Sequence, residues 1–252
     1  MGTAGSLAAV EVSRNLEWRD LKAALAAGWA DYRAAPQFGI FFAGIYVAAG
    51  LALGWALATQ SAVAWLVPAA AGFPLLAPFC AVGLYEVSRR REAGLPLRWG
   101  GVLGALRGRG DDQILSMGVI IFVAFGFWLM IAHAIFAIFQ SGSGTESLAF
   151  LISGTGIAML AVGSAVGACL ALGFYAVTVV SLPMLVHRDV DFMTAIITSL
   201  ASVRDNRLIL LGWAVLIAAA LFIAMLPAFL GLLVVLPVLG HATWHLYRRI
   251  VT

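Results

Sequence analysis

The sequence predicts an all-α, polytopic membrane protein with six transmembrane helices in three hairpins. Each hairpin is preceded by a cytoplasmic interfacial amphipathic helix, and both termini are cytoplasmic. Three observations carry this expectation. The chain is 63% hydrophobic and only 11% charged, whereas soluble domains average about 25% charged residues. Its apolar runs recur at bilayer-crossing length, which takes about 20 residues at about 1.5 Å each. Finally, the second run stops at Arg89-Arg90-Arg91. Each guanidinium costs roughly 2.5–3.5 kcal/mol at the centre of a membrane helix, so the chain emerges there, and arginine-rich loops stay on the cytoplasmic side.

Residues 1–17 lack the charged, apolar and small-residue cleavage pattern of a signal peptide and are expected to be a flexible cytoplasmic tail. Residues 18–252 form a single domain, because no segment between the apolar runs is long enough for a separate core. In WRDLKAALAAGWADYR, Trp18, Leu21, Leu25 and Trp29 recur at helical spacing, which predicts an amphipathic helix in the inner interface. Pro36 punctuates it, and a first span follows over about 37–59. The uncharged turn at Gln60-Ser61 returns the chain as a second span, about 65–87. Pro68, Pro74 and Pro78 interrupt this span and make it either a kinked packing helix or a broken helix lining a path.

PLRWGGVLGALRGRGDDQ is short, basic and faintly amphipathic and leads into a third span, about 114–139. A polar turn whose one charge is Glu146 precedes the fourth span, about 148–182. That apolar run continues to Val186, so it must tilt, kink near Pro183 or project inward. In HRDVDFMTAIITSLASVRDNR, an apolar stripe of Phe192, Ile196, Leu200 and Val203 predicts another interfacial helix. Spans over about 208–226 and 228–246 flank Pro227, and Tyr247-Arg248-Arg249 closes the chain.

All fifteen Lys and Arg residues fall on segments assigned to the cytoplasm, and the outer turns carry only Glu146, as positive-inside threading requires. A repeat of pattern accompanies this. Segments beginning at Asp20, Leu97 and Asp191 each reach a span about seventeen residues later, giving three copies of amphipathic helix, span, span.

Asp20-Leu21, Asp31-Tyr32-Arg33 with Pro36, the stretch GLYEVSRRREAG from Gly83, and Leu182-Pro183 with Asp189, Asp191, Ala195, Ser199 and Asn206 resemble a family of predicted proteobacterial integral membrane proteins, domain of unknown function 2189. The resemblance implies a bacterial inner-membrane location and a six-helix layout. It implies no activity, substrate or catalytic residue.

Polar residues within the spans are few. His133 lies near the outer end of the third span and is the candidate for haem, metal or proton chemistry, against the plainer reading of a neutral imidazole bonded across a helix interface. His241 and His245 are spaced i, i+4 near the inner surface. They are a metal-site candidate lacking a carboxylate or thiolate partner, and interfacial anchoring is the simpler role. Glu86 is placed to pair with Arg89 or Arg90. His187, Arg188, Asp189 and Asp191 read as a solvated charge cluster. Cys80 and Cys169 sit in separate apolar runs with no metal or disulfide spacing.

In the fourth span Gly156, Gly163, Gly167 and Ala171 form a small-residue face suited to helix packing or to a partner. Arg89, Arg90, Arg91, Arg98, Arg107 and Arg109 are expected to contact anionic head groups, so bound phospholipid is anticipated and nucleic acid is not needed to explain the basic pI.

No nucleotide, hydrolase, zinc-protease or haem-attachment motif is present. No cofactor, catalytic residue or soluble substrate is expected. The first expectation for function is a non-enzymatic accessory or assembly subunit packing against a larger inner-membrane complex, respiratory or photosynthetic. The alternatives are a small uncoupled channel or carrier along the three-proline helix, and a haem- or metal-binding protein using His133.

Overall fold

The computed structural model describes residues 11–60, 80–105, 113–140 and 153–251. Ten helices occupy them: α1 Trp18–Ala34, α2 Pro36–Gln60, α3 over residues 80–92, α4 Trp99–Gly104, α5 Gln113–Gln140, α6 Gly154–Thr178, α7 Ser181–His187, α8 Phe192–Asp205, α9 Arg207–Met225 and α10 Leu232–Ile250. The β structure among the described residues is one isolated bridge, Val12 to Val251.

The threefold pattern of a short helix leading into a long one is present as α1–α2, α4–α5 and α8–α9. A capping box of Glu17 and Asp20 starts α1, with the Glu17 amide donating to Asp20 Oδ2 at 2.8 Å. Pro36 ends it, because a proline disfavours helical geometry in the residue before it. Ala35 accordingly leaves the helix at φ −145°, ψ 55°, and α2 departs at 99° to α1.

Among the described residues three helical segments are long and apolar enough to cross a membrane: Gln113–Phe139, Gly154–His187 and Arg207–Met225. A fourth is added if the bent pair α1–α2 counts as one. This is fewer than the six anticipated. Most of the second expected span, 65–79, with its three prolines, lies outside the described residues. The sixth fails for a chemical reason: the inner half of α10 carries His241, Thr243, His245, Arg248 and Arg249, and only its first two or three turns are uniformly apolar.

The long fourth run is broken between α6 and α7 at Val179-Val180. Pro183 explains the position: its ring displaces the carbonyl four residues back, that of Val179. The freed groups find partners. Ser199 of α8 donates to the Ala176 carbonyl at 2.7 Å and accepts from the Val180 amide at 3.2 Å, and Ser181 donates to the Val177 carbonyl.

In two of the short helices small residues take the innermost positions, with Leu25, Phe192, Ile196 and Val203 of the anticipated stripes partly buried beside them. The buried side of α1 is Leu21, Ala24, Gly28 and Asp31, while Trp18 and Trp29 stay largely exposed. The buried side of α8 is Ala195, Thr198, Ser199 and Ser202, while Leu200 of the anticipated stripe is exposed. Large apolar side chains gain nothing by leaving lipid, so small residues take the protein side and let backbones approach. At Gly28 this is literal: a Cβ there would stand 2.6 Å from the Ala242 nitrogen of α10.

The tail is also docked from residue 12 onward rather than flexible throughout. The Ser13 amide donates to the Ile250 carbonyl at 2.8 Å, and Asn206, between α8 and α9, donates to the Ser13 carbonyl at 2.7 Å. The two ends of the described chain therefore lie side by side.

Candidate functional site

The conspicuous site lies where α3, α1, α7 and α10 meet at the arginine-bearing end, and α3 supplies its centre. Successive residues of a helix turn by about 100°, so neighbours in sequence address different partners. Glu86, 3% exposed, accepts a two-pronged bond from Arg89 (2.6 and 2.6 Å) and a third from Arg90 Nε at 2.7 Å. Ser88, fully buried, lies 2.8 Å from His241 Nδ1. Arg91 reaches Asp31 Oδ1 of α1 at 2.7 Å. Glu92 accepts from Trp244 Nε1 at 3.0 Å and from Arg248 Nε at 2.9 Å. Gly94, at φ +64°, closes α3 in the left-handed conformation that glycine adopts without penalty.

Asp31 is the hub. Its second oxygen lies 2.8 Å from His245 Nε2. Burial by itself would raise the carboxyl, but hydrogen bonds from His245, Ser88 and Arg91 outweigh it and hold Asp31 at about 2. Burial likewise opposes ionisation of Glu92, and the bonds from Trp244 and Arg248 prevail, so it is held below the usual carboxylate range. On the far side His187 bonds Tyr247 at 2.9 Å and meets the Trp244 ring edge to face, and Arg249 reaches Asp20 at 2.7 Å.

Chemically this is a lattice of ion pairs and hydrogen bonds that ties α1, α3, α7 and α10 together. Among the described residues buried His241 Nε2 has no hydrogen-bond partner, and no group of three His, Cys, Asp or Glu is arranged to hold a metal. His241 and His245 do share a face, but they bind different neighbours and are locks between helices, not surface anchors. His187 belongs to the same lattice rather than to a solvated cluster, whereas Asp191 caps α8 through Thr194 at 2.8 Å.

His133 sits apart. It is exposed on α5 and bonds the Leu129 carbonyl of its own helix at 3.1 Å, so the anticipated bond across a helix interface is not made. Arg89, Arg90 and Arg91, expected as free head-group contacts, are paired with Glu86 and Asp31. Arg98 is exposed at the start of α4, and Arg107 and Arg109 lie outside the described residues. The sequence reading passed over Asp31 and Ser88 as site residues. The cue for Asp31 was an acidic residue directly in line with Leu21, Ala24 and Gly28, at i+3, i+7 and i+10.

The glycine face of α6 is open. Among the described residues nothing lies within 4 Å of a Cβ placed on Gly163, and Gly167 meets only Trp128 Nε1 at 4.0 Å. Both line an apolar cavity of about 810 Å³ between α5, α6 and α9, and Ala171 lines a second, of about 640 Å³, that shares Trp128. Gly156 alone of the four is buried.

Residues 66–187 match the family described as predicted integral membrane protein (DUF2189), the family the sequence resembles. The matched segment holds α3 with its arginines and continues through α7. No curated protein and no solved structure matches the chain.

Proposed function

We propose that this chain, whose residues 66–187 carry the match to that family of integral membrane proteins, is a non-catalytic interaction subunit that receives a transmembrane helix of a larger membrane complex on α6. One observation carries the reading: α6 is a 25-residue apolar helix on which, among the described residues, nothing lies within 4 Å of a Cβ at Gly163 and only Trp128 Nε1 reaches one at Gly167, although small residues in a membrane helix normally admit a close neighbour. The ion-paired junction of α1, α3 and α10 then serves as the rigid base from which α5 and α6 extend. The proposal places the arginine-bearing end in the cytoplasm of a bacterial inner membrane, with both termini there. The adjacency of Val12 and Val251 and the distribution of Lys and Arg support that threading. Pro68, Pro74 and Pro78, along which the channel or carrier reading would run, lie outside the described residues.

The test is mild extraction from the native membrane, native gel separation and mass identification of what migrates with the chain. The wild type is expected in a stoichiometric larger assembly. The Gly163→Leu, Gly167→Leu double variant is expected to fold and migrate alone. A wild type that migrates alone, or a double variant that keeps the assembly, refutes the reading.

A further inference from the structure

We propose that the cleft between α3, α4, α5 and α7 at the arginine-bearing end binds the phosphate of one anionic phospholipid. The cleft has a volume of about 280 Å³, walled by Glu86, Arg89 and Arg90 on one side and by Gly100, Gly101 and Gly104 on another. Glu86 neutralises one of the two guanidinium groups, which leaves one net positive charge for one phosphodiester. Arg89 commits two donors to Glu86, and Arg90 commits one to Glu86 and one to the Pro96 carbonyl at 3.1 Å. A guanidinium carries five donors, so both keep donors for an anion. Their side chains are only 12% and 19% exposed, which limits solvent screening of what binds there.

The glycines of α4 make the room. A Cβ on Gly101 would stand 2.5 Å from Arg90 Cζ, so glycine is what lets the guanidinium lie against this helix. A Cβ on Gly100 or Gly104 would meet nothing within 4 Å among the described residues. Trp99, its ring centre 4.3 Å from that of Phe38, fixes α4 in place. Below the charges the wall turns apolar at Ile114 and Leu185. On the neighbouring side of α5, about 100° round from Ile114, Leu115, Val119 and Phe122, at i, i+4 and i+7, are exposed by 51%, 54% and 44%. The order is that of an amphiphile in one leaflet: charge at the interface, then a track for an acyl chain. That track selects a phospholipid over a soluble phosphate. The inference stands independently of partner docking on α6.

The purified full chain in detergent is titrated separately with short-chain phosphatidylglycerol, phosphatidylcholine and inorganic phosphate, and retained adducts are counted by native mass spectrometry. One phosphatidylglycerol per chain is expected, with phosphatidylcholine weaker by about fivefold, the factor one charge supplies at a bilayer surface. Equimolar inorganic phosphate is expected not to displace the lipid. The Gly100→Leu, Gly104→Leu double variant fills the cleft from positions where a Cβ meets nothing within 4 Å among the described residues, leaves Glu86, Arg89 and Arg90 in the sequence, and is expected to reduce phosphatidylglycerol retention to the phosphatidylcholine level at unchanged melting temperature. Equal retention of the two lipids, undiminished binding by a folded double variant, or displacement by inorganic phosphate overturns the proposal. The lipid preference of the wild type needs no variant, so it decides the matter even if the double variant misfolds.

Discussion

Replacing Asp31 by asparagine tests whether the junction of α1, α3 and α10 is held by charge. The Asp31→Asn change keeps the shape and one acceptor but removes the charge that meets Arg91 at 2.7 Å and His245 at 2.8 Å. Breaking a fully buried pair costs about 3–5 kcal/mol. Asp31 is 8% exposed, but Arg91 is 32% and His245 23% exposed, so both partners recover some hydration and about 2–3 kcal/mol is expected. The carboxyl gives a second estimate. Its fall from 3.8 to about 2 corresponds to about 2 kcal/mol of preference for the ionised form in the folded state. In a chain of this size that lowers the melting temperature by about 4–8 °C at pH 7.

The sign of the pH dependence sharpens the test. The folded carboxyl titrates below the unfolded one, so its stabilisation is fully present above about pH 4 and is lost as pH falls through about 2. Thermal unfolding of wild type and Asp31→Asn in detergent, followed by circular dichroism from pH 7 to pH 2, should show two curves that converge at the acid end. A gap of the same size at pH 7 and at pH 2, or none at pH 7, refutes the argument that ionised Asp31 holds these helices together.

Two further substitutions probe other parts of the frame. Gly28→Val places a Cβ 2.6 Å from the Ala242 nitrogen and 2.7 Å from the Val238 carbonyl oxygen. Backbone atoms cannot rotate away, so a loss of about 3 kcal/mol or more is expected in the same melting assay. Gly44→Val, at a position where nothing lies within 4 Å, should change little, and equal effects would show that the α1–α10 approach is not what matters. Ala228 in the turn before α10 has φ 50°, a conformation costing a non-glycine residue about 1–2 kcal/mol. Ala228→Gly should therefore raise the melting temperature by about 2–4 °C, and a decrease would show that the turn is not strained.

The periodicities that located the helices were legible because they depend on local sequence. α1, α5 and α9 begin and end within about two residues of where the apolar runs and their flanking charges place them. Which side of each helix packs inward was harder to read, and α1 and α8 show why. An apolar stripe such as Phe192, Ile196, Leu200 and Val203 points inward in a soluble protein because water drives it there. In α8 Phe192, Ile196 and Val203 do pack partly buried against the core and only Leu200 turns outward, while the closest approach is made by Ala195, Ser199 and Ser202. Attention to the apolar stripes alone hid the ion-paired junction. Once small residues bring backbones together, a polar side chain on that face is desolvated and must be paired, so Asp31 beside Gly28 and Ser88 beside Arg89 become bonded by necessity. By that logic the small-residue face of α6, open among the described residues, is the face on which the proposed docking rests. Gly28 of α1 lies against α10, whereas a Cβ on Gly163 of α6 would meet nothing within 4 Å among the described residues.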